Sequence, residues 1–511
     1  MFATLSNTTK IEKTARINII LYISIFIAGL IGPLGFAPFH LPGFTLLSLA
    51  FFYAKIVRAS AKESLILGFV YGLGYFGLGI SWIIISIHDY GHIYYVFAGA
   101  LTLIFVMYLS LFPALVAYLF KLLKTEQNTL LAIGSFSTLW CLSEFIRSGF
   151  ITGFPWLLIG TSLIDTPMKY LAPIIGINGL SLICALLAAL LYYSLNERST
   201  KRYYCSVLLV LMLLCPLVIK NHQWTSISKE PISVGGIQAN LSMRDKWDEH
   251  LFWQLLDFYS QSIDKLLGTQ LIILPESAIP LPSHYLEEYI EKLNQKALAA
   301  NSAIMIGIIQ STSDESESTF YNTILTLGPA TGEHIKYQLV PFGEYIPKPF
   351  LAANRWLNLP EPTVIPGKYN QPLMKIAGHP IANLICYEIA YPNLLRRQMP
   401  QAQWIVSISD NGWFGHSLAG FQQLQMSQML SLLTGRYQIV VNNDGLSSII
   451  NPQGDITSGL PAFSSGILTG QLFPAEGVTP WINFGDYPIL IICTLFLILI
   501  LFLRLRRFSE Q

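Results

Sequence analysis

The stretch "IANLICYEIAYP" (residues 381–392) places one cysteine, Cys386, at the end of a run of apolar, strand-forming residues. Such a run is typical of a strand that is covered on both faces of its sheet. Similar runs occur between residues 232 and 475, namely "ISVGGIQAN", "LIILPE", "AIMIGII", "YNTILTL", "WIVSISD", "YQIVVNN" and "SSIINP". The stretch "DEHLFWQLLDFYSQSIDKLL" repeats apolar residues at helical spacing. This part of the chain therefore predicts one α/β domain.

The rest of the chain has the composition of a membrane protein. Of its 511 residues 52% are hydrophobic and 12% charged, against about 25% charged in soluble proteins. Because a bilayer core about 30 Å thick needs about 20 apolar residues per helix, we predict about eight transmembrane helices. Their approximate spans are 17–38, 43–57, 64–87, 93–120, 129–146, 170–195, 203–220 and 487–503. The first span has no small-residue cleavage site behind it, so we expect a retained helix and not a signal peptide.

The positive charges predict the orientation of these helices. Cytoplasmic loops retain Lys and Arg, and alternate loops of this chain carry them: Lys10, Lys13, Arg16, Lys55, Arg58, Lys62, Lys121, Lys124, Arg198, Lys201, Arg202, Arg504, Arg506 and Arg507. We expect residues 1–220 to form a seven-helix transmembrane domain, 221–486 an extracytoplasmic domain, and 487–511 a last helix with a basic cytoplasmic tail. The net charge of +1 and this topology disfavour nucleic acid as a partner.

Cys386 is the one cysteine of six that lies in the predicted outside domain. The other five, Cys141, Cys184, Cys205, Cys215 and Cys493, lie in or beside apolar spans, where cysteine usually serves as a small packing residue. Cys386 therefore has no disulfide partner in its own domain. Its position alone leaves two alternatives, a buried structural thiol and a reactive thiol.

Two further polar residues occur where α/β proteins place their chemistry, at or near strand ends. Glu276 closes "LIILPE", and Lys336 lies in "GEHIKYQLVPFGEYIP". A free thiol is only a few per cent ionised at neutral pH and needs a base or a nearby cation to become a nucleophile. A glutamate can take the proton, and a lysine can stabilise the negative charge of a tetrahedral intermediate. Each residue taken alone can be explained by an ordinary structural role. Together, however, Glu276, Lys336 and Cys386 supply every role of an acyl-transfer site.

At these residues the sequence resembles the nitrilase superfamily, whose αββα sandwich carries a Glu, Lys, Cys triad in this chain order. It resembles most closely the membrane-anchored branch of that superfamily, the apolipoprotein N-acyltransferases. The motifs that carry this resemblance span nearly the whole chain: "LGFAPFHLPG" (34–43), "GLGYFGLGISWIIISIHDYG" (72–91), "LWCLSEFIRSGFITGFPWLLIGTS" (139–162), "ILPESAIP", "LVPFGEYIP", "CYEIAYP", "DNGWFGHS" and "GDYP".

The resemblance implies a role for each matching residue. Cys386 would be the nucleophile, Glu276 the general base and Lys336 the group that stabilises the oxyanion. Glu344, Tyr387 and Glu388 would support them, whereas Trp247, Trp413 and Phe414 would contact the substrate. No histidines show metal-ligand spacing, and the resemblance implies neither a metal nor another cofactor.

The reaction that the resemblance implies moves an acyl chain from a phospholipid, expected to be the sn-1 chain of phosphatidylethanolamine, to a Cys386 thioester. The chain then passes to the α-amino group of the diacylglyceryl-cysteine at the N-terminus of an apolipoprotein. The implied location is the inner membrane of a bacterium, with the catalytic domain in the periplasm, and nothing in the sequence requires more than a monomer.

The chain departs from the family pattern in "QMSQMLSLLTGRYQIVVNNDGLS". The family usually has charged residues where this chain has Gln428, Leu430, Leu433 and Val440, and "TNNG" is here "NNDG" at residues 442–445. The triad is intact, so the departures bear on the residues around it.

Two rival functions remain open. A membrane-anchored amidase or lipid hydrolase would form the same acyl-enzyme and transfer it to water, and a transporter would use the outside domain only to capture its substrate. The segment 350–367, with Trp356 and Leu357, and the loop after the fifth span are candidates for contact with lipid. Glu144 and Arg147, three residues apart in that span, are expected to pair with each other on one helix face or, alternatively, to serve lipid entry.

Overall fold

The computed structural model describes residues 19–91, 93–246, 248–312, 319–356 and 362–509. The chain divides into two compact units. The first comprises the residues up to Leu171, Ile175–Lys220 and the segment from Asp486 onward. The second comprises Ala172–Ile174 and Asn221–Gly485.

The first unit is built from apolar helices. Among the residues that the structure describes, five helices are long and apolar enough to cross a bilayer: Tyr95–Leu123, Thr129–Arg147, Pro167–Asn196, Lys201–Ile219 and Tyr487–Arg506. The helices Ala61–Gly79 and Ile83–Tyr90 pass the same test together and would raise the number to six, and Ile19–Gly35 and Pro42–Ile56 are shorter. Each predicted span thus coincides with a helix of the described residues, whereas the number of spans stays a prediction.

The third predicted span, 64–87, is not one straight helix. Its two parts are bent by 66° at the break after Gly79. Leu157, from the loop that follows Arg147, packs at this bend: a Cβ on Gly79 would lie 2.2 Å from Leu157 Cδ1. Trp82 packs beside Trp156 of the same loop, with 5.2 Å between the ring centroids. The bend therefore accommodates a returning loop, which helical periodicity along one segment does not reveal.

The buried charges of Glu144 and Arg147 hold this same loop. Glu144 Oε1 accepts hydrogen bonds from Trp140 Nε1 at 3.1 Å and from the main-chain N–H of Ile159 at 3.0 Å. Arg147 Nη1 donates to the carbonyl oxygens of Phe154 and Trp156, both at 2.7 Å. The two side chains thus bind the main chain of this loop, because polar groups in a water-free interior need hydrogen-bonding partners.

The second unit contains two large mixed sheets. The strands of the first sheet, in spatial order, are Ile456–Gly459, Ser448–Ile450, Gln438–Asn442, Ile405–Ser409, His379–Ile385 and Met374–Ile376. Those of the second are Gly466–Leu472, Ile232–Gln238, Leu271–Ile273, Ala303–Ser311, Phe320–Leu327 and Glu333–Ile335, with Ile279–Pro282 paired to Ala303–Ser311. A separate pair joins Thr225–Ile227 to Ala475–Gly477. The central strands of both sheets run parallel.

The sheets pack face to face between helices. Alternate residues of each strand point to opposite faces: Leu271 and Ile273 enter the core between the sheets, whereas Ile272 packs against the outer helices. Those outer helices are Phe252–Leu266 and Glu287–Ala299. On the far side of the first sheet, Leu424 of the helix Leu418–Thr434 packs on Val440 and Ile450. The result is the predicted αββα sandwich, and each strand that the sequence predicted is present.

Candidate active site

The three residues of the predicted triad lie at or shortly after the ends of strands. Glu276 follows Leu271–Ile273, Lys336 follows Glu333–Ile335, and Cys386 follows His379–Ile385. Lys336 Nζ donates a hydrogen bond to Glu276 Oε1, and the Cys386 thiol is close enough to both groups for their charges to shift its pKa. A sequence separation of 110 residues between Glu276 and Cys386 is thus bridged by packing of the two sheets.

Lys336 is a fully buried cation between two carboxylates. Its Nζ lies 3.1 Å from Glu276 Oε1 and 2.7 Å from Glu344 Oε1, and its side chain is 1% exposed. Burial by itself would lower the pKa of Lys336, but the carboxylates of Glu276 and Glu344 outweigh it and hold the pKa well above its ordinary value. The lysine is therefore a fixed positive charge, suited to stabilising an oxyanion and not to accepting a proton.

Glu276 is held by groups that the sequence did not single out. Asn322 Nδ2 donates to Glu276 Oε1 at 2.7 Å, and the main-chain N–H of Asp410 donates to Glu276 Oε2 at 3.0 Å. Asn322 was visible as a polar residue inside the strand "YNTILTL", and Asp410 as a carboxylate directly after "WIVSIS". Asp410 thus obeys the strand-end rule that identified the other site residues, whereas Asn322 lies within the strand Phe320–Leu327.

A glycine allows the segment of Glu276 to lie close to the neighbouring strand. A Cβ on Gly307 would lie 2.2 Å from the carbonyl oxygen of Pro275 and 2.7 Å from Glu276 Cα. Separations this short are excluded for real side chains, so only glycine fits at this position without moving the main chain of Glu276.

Cys386 adopts a backbone conformation that is unusual for a residue with a side chain. Its φ is +52°, and it begins the 3-10 helix Cys386–Ala390 immediately after its strand. The left-handed region costs about 1–2 kcal/mol for such a residue. The strand therefore ends at the cysteine, whose thiol lies close enough to Glu276 for that carboxylate to raise its pKa.

The environment of the thiol disfavours its ionised form. Burial, and then the negative charge of Glu276, raise the pKa of Cys386 well above its ordinary value, while Lys336 acts in the opposite direction. Gln423 Nε2 lies 3.9 Å from Cys386 Sγ and 3.3 Å from Ser409 Oγ, and it is a further contact that the sequence did not reveal. A thiol of this kind reacts when a base removes its proton during attack, which is the task a carboxylate such as Glu276 can perform.

Glu388 joins the segment of the cysteine to that of the lysine. Its Oε2 accepts from the main-chain N–H of Ile385 at 2.8 Å and from His334 Nε2 at 3.4 Å. Its Oε1 accepts from the main-chain N–H groups of Tyr337 at 2.8 Å and Gln338 at 3.2 Å. Burial would raise the pKa of Glu388, but His334 and the main-chain donors outweigh it and lower the pKa below its ordinary value.

The remaining predicted residues surround this cluster to different degrees. Tyr387 is buried, and its hydroxyl accepts a bond from that of Tyr391 at 3.3 Å. Trp413 and Phe414 lie on the short helix that follows Asp410, with 40% of Trp413 exposed. Trp247 and Leu357 lie outside the described residues.

The departures from the family pattern fall mostly in apolar core. Leu430, Leu433 and Val440 are buried, so the apolar residues at these positions introduce no unpaired charge. Gln428 Nε2 donates to the carbonyl oxygen of Gly454 at 2.8 Å. Asn443, within the altered "NNDG", donates to the Asp410 carboxylate at 3.0 and 3.2 Å. The altered segment therefore still reaches the network around Glu276.

Comparison with known proteins places the two units in known families. The family described as "Apolipoprotein N-acyltransferase N-terminal domain" matches residues 28–190, and "Carbon-nitrogen hydrolase" matches residues 233–481. An apolipoprotein N-acyltransferase of Azotobacter vinelandii is 36% identical over 471 residues, 90% of this chain and 91% of the relative. That of Coxiella burnetii is 34% identical over 477 residues, 93% of this chain and 98% of the relative. Among solved structures, Saccharomyces cerevisiae Nit3 superposes with a TM-score of 0.36 and 17% identity, covering 49% of this chain and 93% of Nit3.

These findings define a membrane protein that combines several apolar helices with a carbon–nitrogen hydrolase domain. The matches to whole relatives go further than this class, because they extend across both units. The chain belongs to the apolipoprotein N-acyltransferase family.

Proposed function

We propose that this enzyme transfers an acyl chain from a membrane phospholipid to the N-terminal amine of a diacylated apolipoprotein. The observation that carries the proposal is the buried cluster of Glu276, Lys336 and Cys386 in a chain of this family. The donor is the sn-1 chain of phosphatidylethanolamine, and the acceptor is the α-amino group of S-diacylglyceryl-cysteine.

The proposed reaction has two steps, acylation of Cys386 and transfer of the acyl chain to the amine, and the same three residues serve both. Glu276 takes the thiol proton as Cys386 Sγ attacks the ester carbonyl, and Lys336 stabilises the oxyanion. The C–O bond then breaks, and Glu276 returns the proton to the departing glycerol oxygen, which leaves a thioester and a lysophospholipid. In the second step the lipoprotein amine attacks the thioester and Glu276 accepts the amine proton. The C–S bond then breaks as the amide forms, and Glu276 returns the proton to the Cys386 sulfur.

The proposed setting is the inner membrane, with eight spans, a monomeric enzyme and the sandwich domain in the periplasm. The distribution of Lys and Arg among the loops supports this orientation. Both substrates are lipids, and taking a lipid out of the bilayer costs about 0.8 kcal/mol for each buried CH₂ group. A catalytic domain flanked in sequence by apolar helices, Lys201–Ile219 and Tyr487–Arg506, is thereby kept near both of them.

Intact-mass analysis tests the proposal directly. Wild type and Cys386→Ala are incubated with phosphatidylethanolamine in detergent, and a diacylated lipopeptide is added afterwards. We expect an acyl-sized adduct on wild type alone, which disappears as the peptide gains the same mass. Adduct decay to free fatty acid while the peptide stays unmodified would instead indicate a lipid hydrolase, and no adduct would contradict the thioester mechanism.

A further inference from the structure

A second buried ion pair lies next to the triad, formed by Lys246 and Asp410. Lys246 is the last residue of the short helix Met243–Lys246. Its Nζ lies 2.5 Å from Asp410 Oδ2, with 1% of the lysine side chain and 2% of the aspartate side chain exposed. The same Nζ donates to the main-chain carbonyl oxygen of Glu276 at 3.0 Å.

Asp410 connects this pair to the Glu276 carboxylate. Its main-chain N–H donates to Glu276 Oε2, and its own carboxylate accepts from Asn443 Nδ2 and, at 3.0 Å, from the N–H of Gly412. Lys246 and Asp410 therefore hold Glu276 at two points, its main-chain carbonyl and one carboxylate oxygen. Lys336 and Asn322 bind the other oxygen.

The energetics indicate that this pair does more than stabilise the fold. A buried ion pair is on average no better for stability than apolar residues of the same volume, because both charges lose their hydration. An apolar pair at positions 246 and 410 would fill the same space but would leave the Glu276 carbonyl without its lysine donor. The pair thus provides defined geometry at Glu276, which apolar packing does not.

We propose that Lys246, paired with Asp410, is a positioning residue for the general base Glu276. This inference rests on the proposed function, in which Glu276 moves a proton in both half-reactions. Each transfer requires the carboxylate at hydrogen-bonding distance from the thiol and then from the leaving oxygen. A displacement of about 1 Å is enough to lower a rate by about 100-fold.

The test compares Lys246→Met, the double variant Lys246→Met/Asp410→Asn and a control, Lys296→Met. The control breaks an exposed pair, since Lys296 and Asp264 are 47% and 49% exposed. The acylation rate of Cys386 is measured by intact mass at increasing phosphatidylethanolamine, so that the maximal rate and the half-saturating lipid concentration are separated. Thermal unfolding is followed for every variant.

We expect Lys246→Met to acylate about 100-fold more slowly at saturating lipid, with half-saturation within twofold of wild type. The double variant should still acylate at least about tenfold more slowly than wild type. Its Asp410→Asn change removes the buried charge that Lys246→Met leaves unpaired, but it does not restore the lysine that binds Glu276. Lys296→Met should match wild type. A folded Lys246→Met with a wild-type maximal rate would overturn the inference.

If Lys246→Met does not fold, the double variant decides, and its acylation at the wild-type rate would equally overturn the inference. If wild type itself forms no acyl-enzyme, the proposed function fails, and alkylation of Cys386 by iodoacetamide, read on the Cys386 peptide, then tests the positioning role. Slower alkylation in the folded variant than in wild type would support that role, and equal rates would overturn it.

Discussion

Glu388→Gln tests whether one carboxylate fixes the segment of Cys386 relative to that of Lys336. The change keeps the size of the side chain and removes its charge. Glu388 now accepts from three main-chain N–H groups and from His334, and an amide offers one oxygen in place of two. At least one buried main-chain donor is therefore left unpaired, at about 1–3 kcal/mol, and the remaining bonds lose charge assistance worth about 1 kcal/mol each.

We expect a total destabilisation of about 3–5 kcal/mol, seen as a lower unfolding temperature. If about 3 kcal/mol of it acts on the position of Cys386 or Lys336, acylation slows on the order of 100-fold, since about 1.4 kcal/mol corresponds to a factor of ten. Glu333→Gln, at an exposed position two strand residues before Ile335, is the matched control.

The effect on stability should also depend on pH. The folded pKa of Glu388 lies below its ordinary value of 4.5, so its stabilisation is present above that value and is lost as the pH falls through the folded pKa. The difference in unfolding temperature between wild type and Glu388→Gln should therefore narrow in acid. A variant that unfolds and acylates like Glu333→Gln at neutral pH would refute this reasoning.

Substitutions of Lys336, Gln423 and Arg147 test three other sets of contacts. Lys336→Met leaves the carboxylates of Glu276 and Glu344 buried without their cation, so thermal unfolding should show a stability loss of about 3–5 kcal/mol, and intact-mass analysis should show no acylation. Because the folded pKa of Lys336 is raised, its stabilisation of wild type should persist to about pH 10 and fall only at higher pH. A fall in stabilisation near neutral pH would contradict the ion pairs. Gln423→Leu removes the amide near Cys386 Sγ, and we expect an acylation rate about tenfold lower with the substrate half-saturation unchanged; an unchanged rate would mean that this amide does not assist the thiol. Arg147→Met removes the donor of one buried carbonyl and one partly buried carbonyl. The unfolding temperature in detergent should therefore fall by the equivalent of about 2–4 kcal/mol relative to the exposed control Arg198→Met, and equal temperatures would argue against the role of Arg147 in the loop.

The sequence predicts those site residues that share one local signal, a polar side chain at the end of an apolar strand. Glu276 and Cys386 were found in this way, and the strands that carry them are confirmed. Asp410 carries the same signal, but its contact with Glu276 is made by its main-chain N–H, which any residue except proline supplies, whereas its carboxylate binds Lys246. The catalytic roles of Glu276 and Cys386 stay predictions.

Other contacts leave no such signal. Lys246 lies 164 residues from Asp410, in a stretch of charged residues that looks like a solvated surface. Its burial is a property of tertiary packing, which one sequence does not encode locally. The bend after Gly79 is equally invisible, since it depends on a loop about 80 residues away in the chain.

The positive φ of Cys386 has a practical consequence for making inactive enzyme. Glycine adopts this backbone conformation freely, whereas alanine retains the steric cost of a Cβ. Cys386→Gly should therefore keep the turn with less strain than Cys386→Ala, and it opens a gap the size of the missing CH₂SH group beside Glu276 and Lys336. That gap makes the glycine variant suitable for chemical rescue, in which a small added thiol such as methanethiol takes the place of the proposed nucleophile.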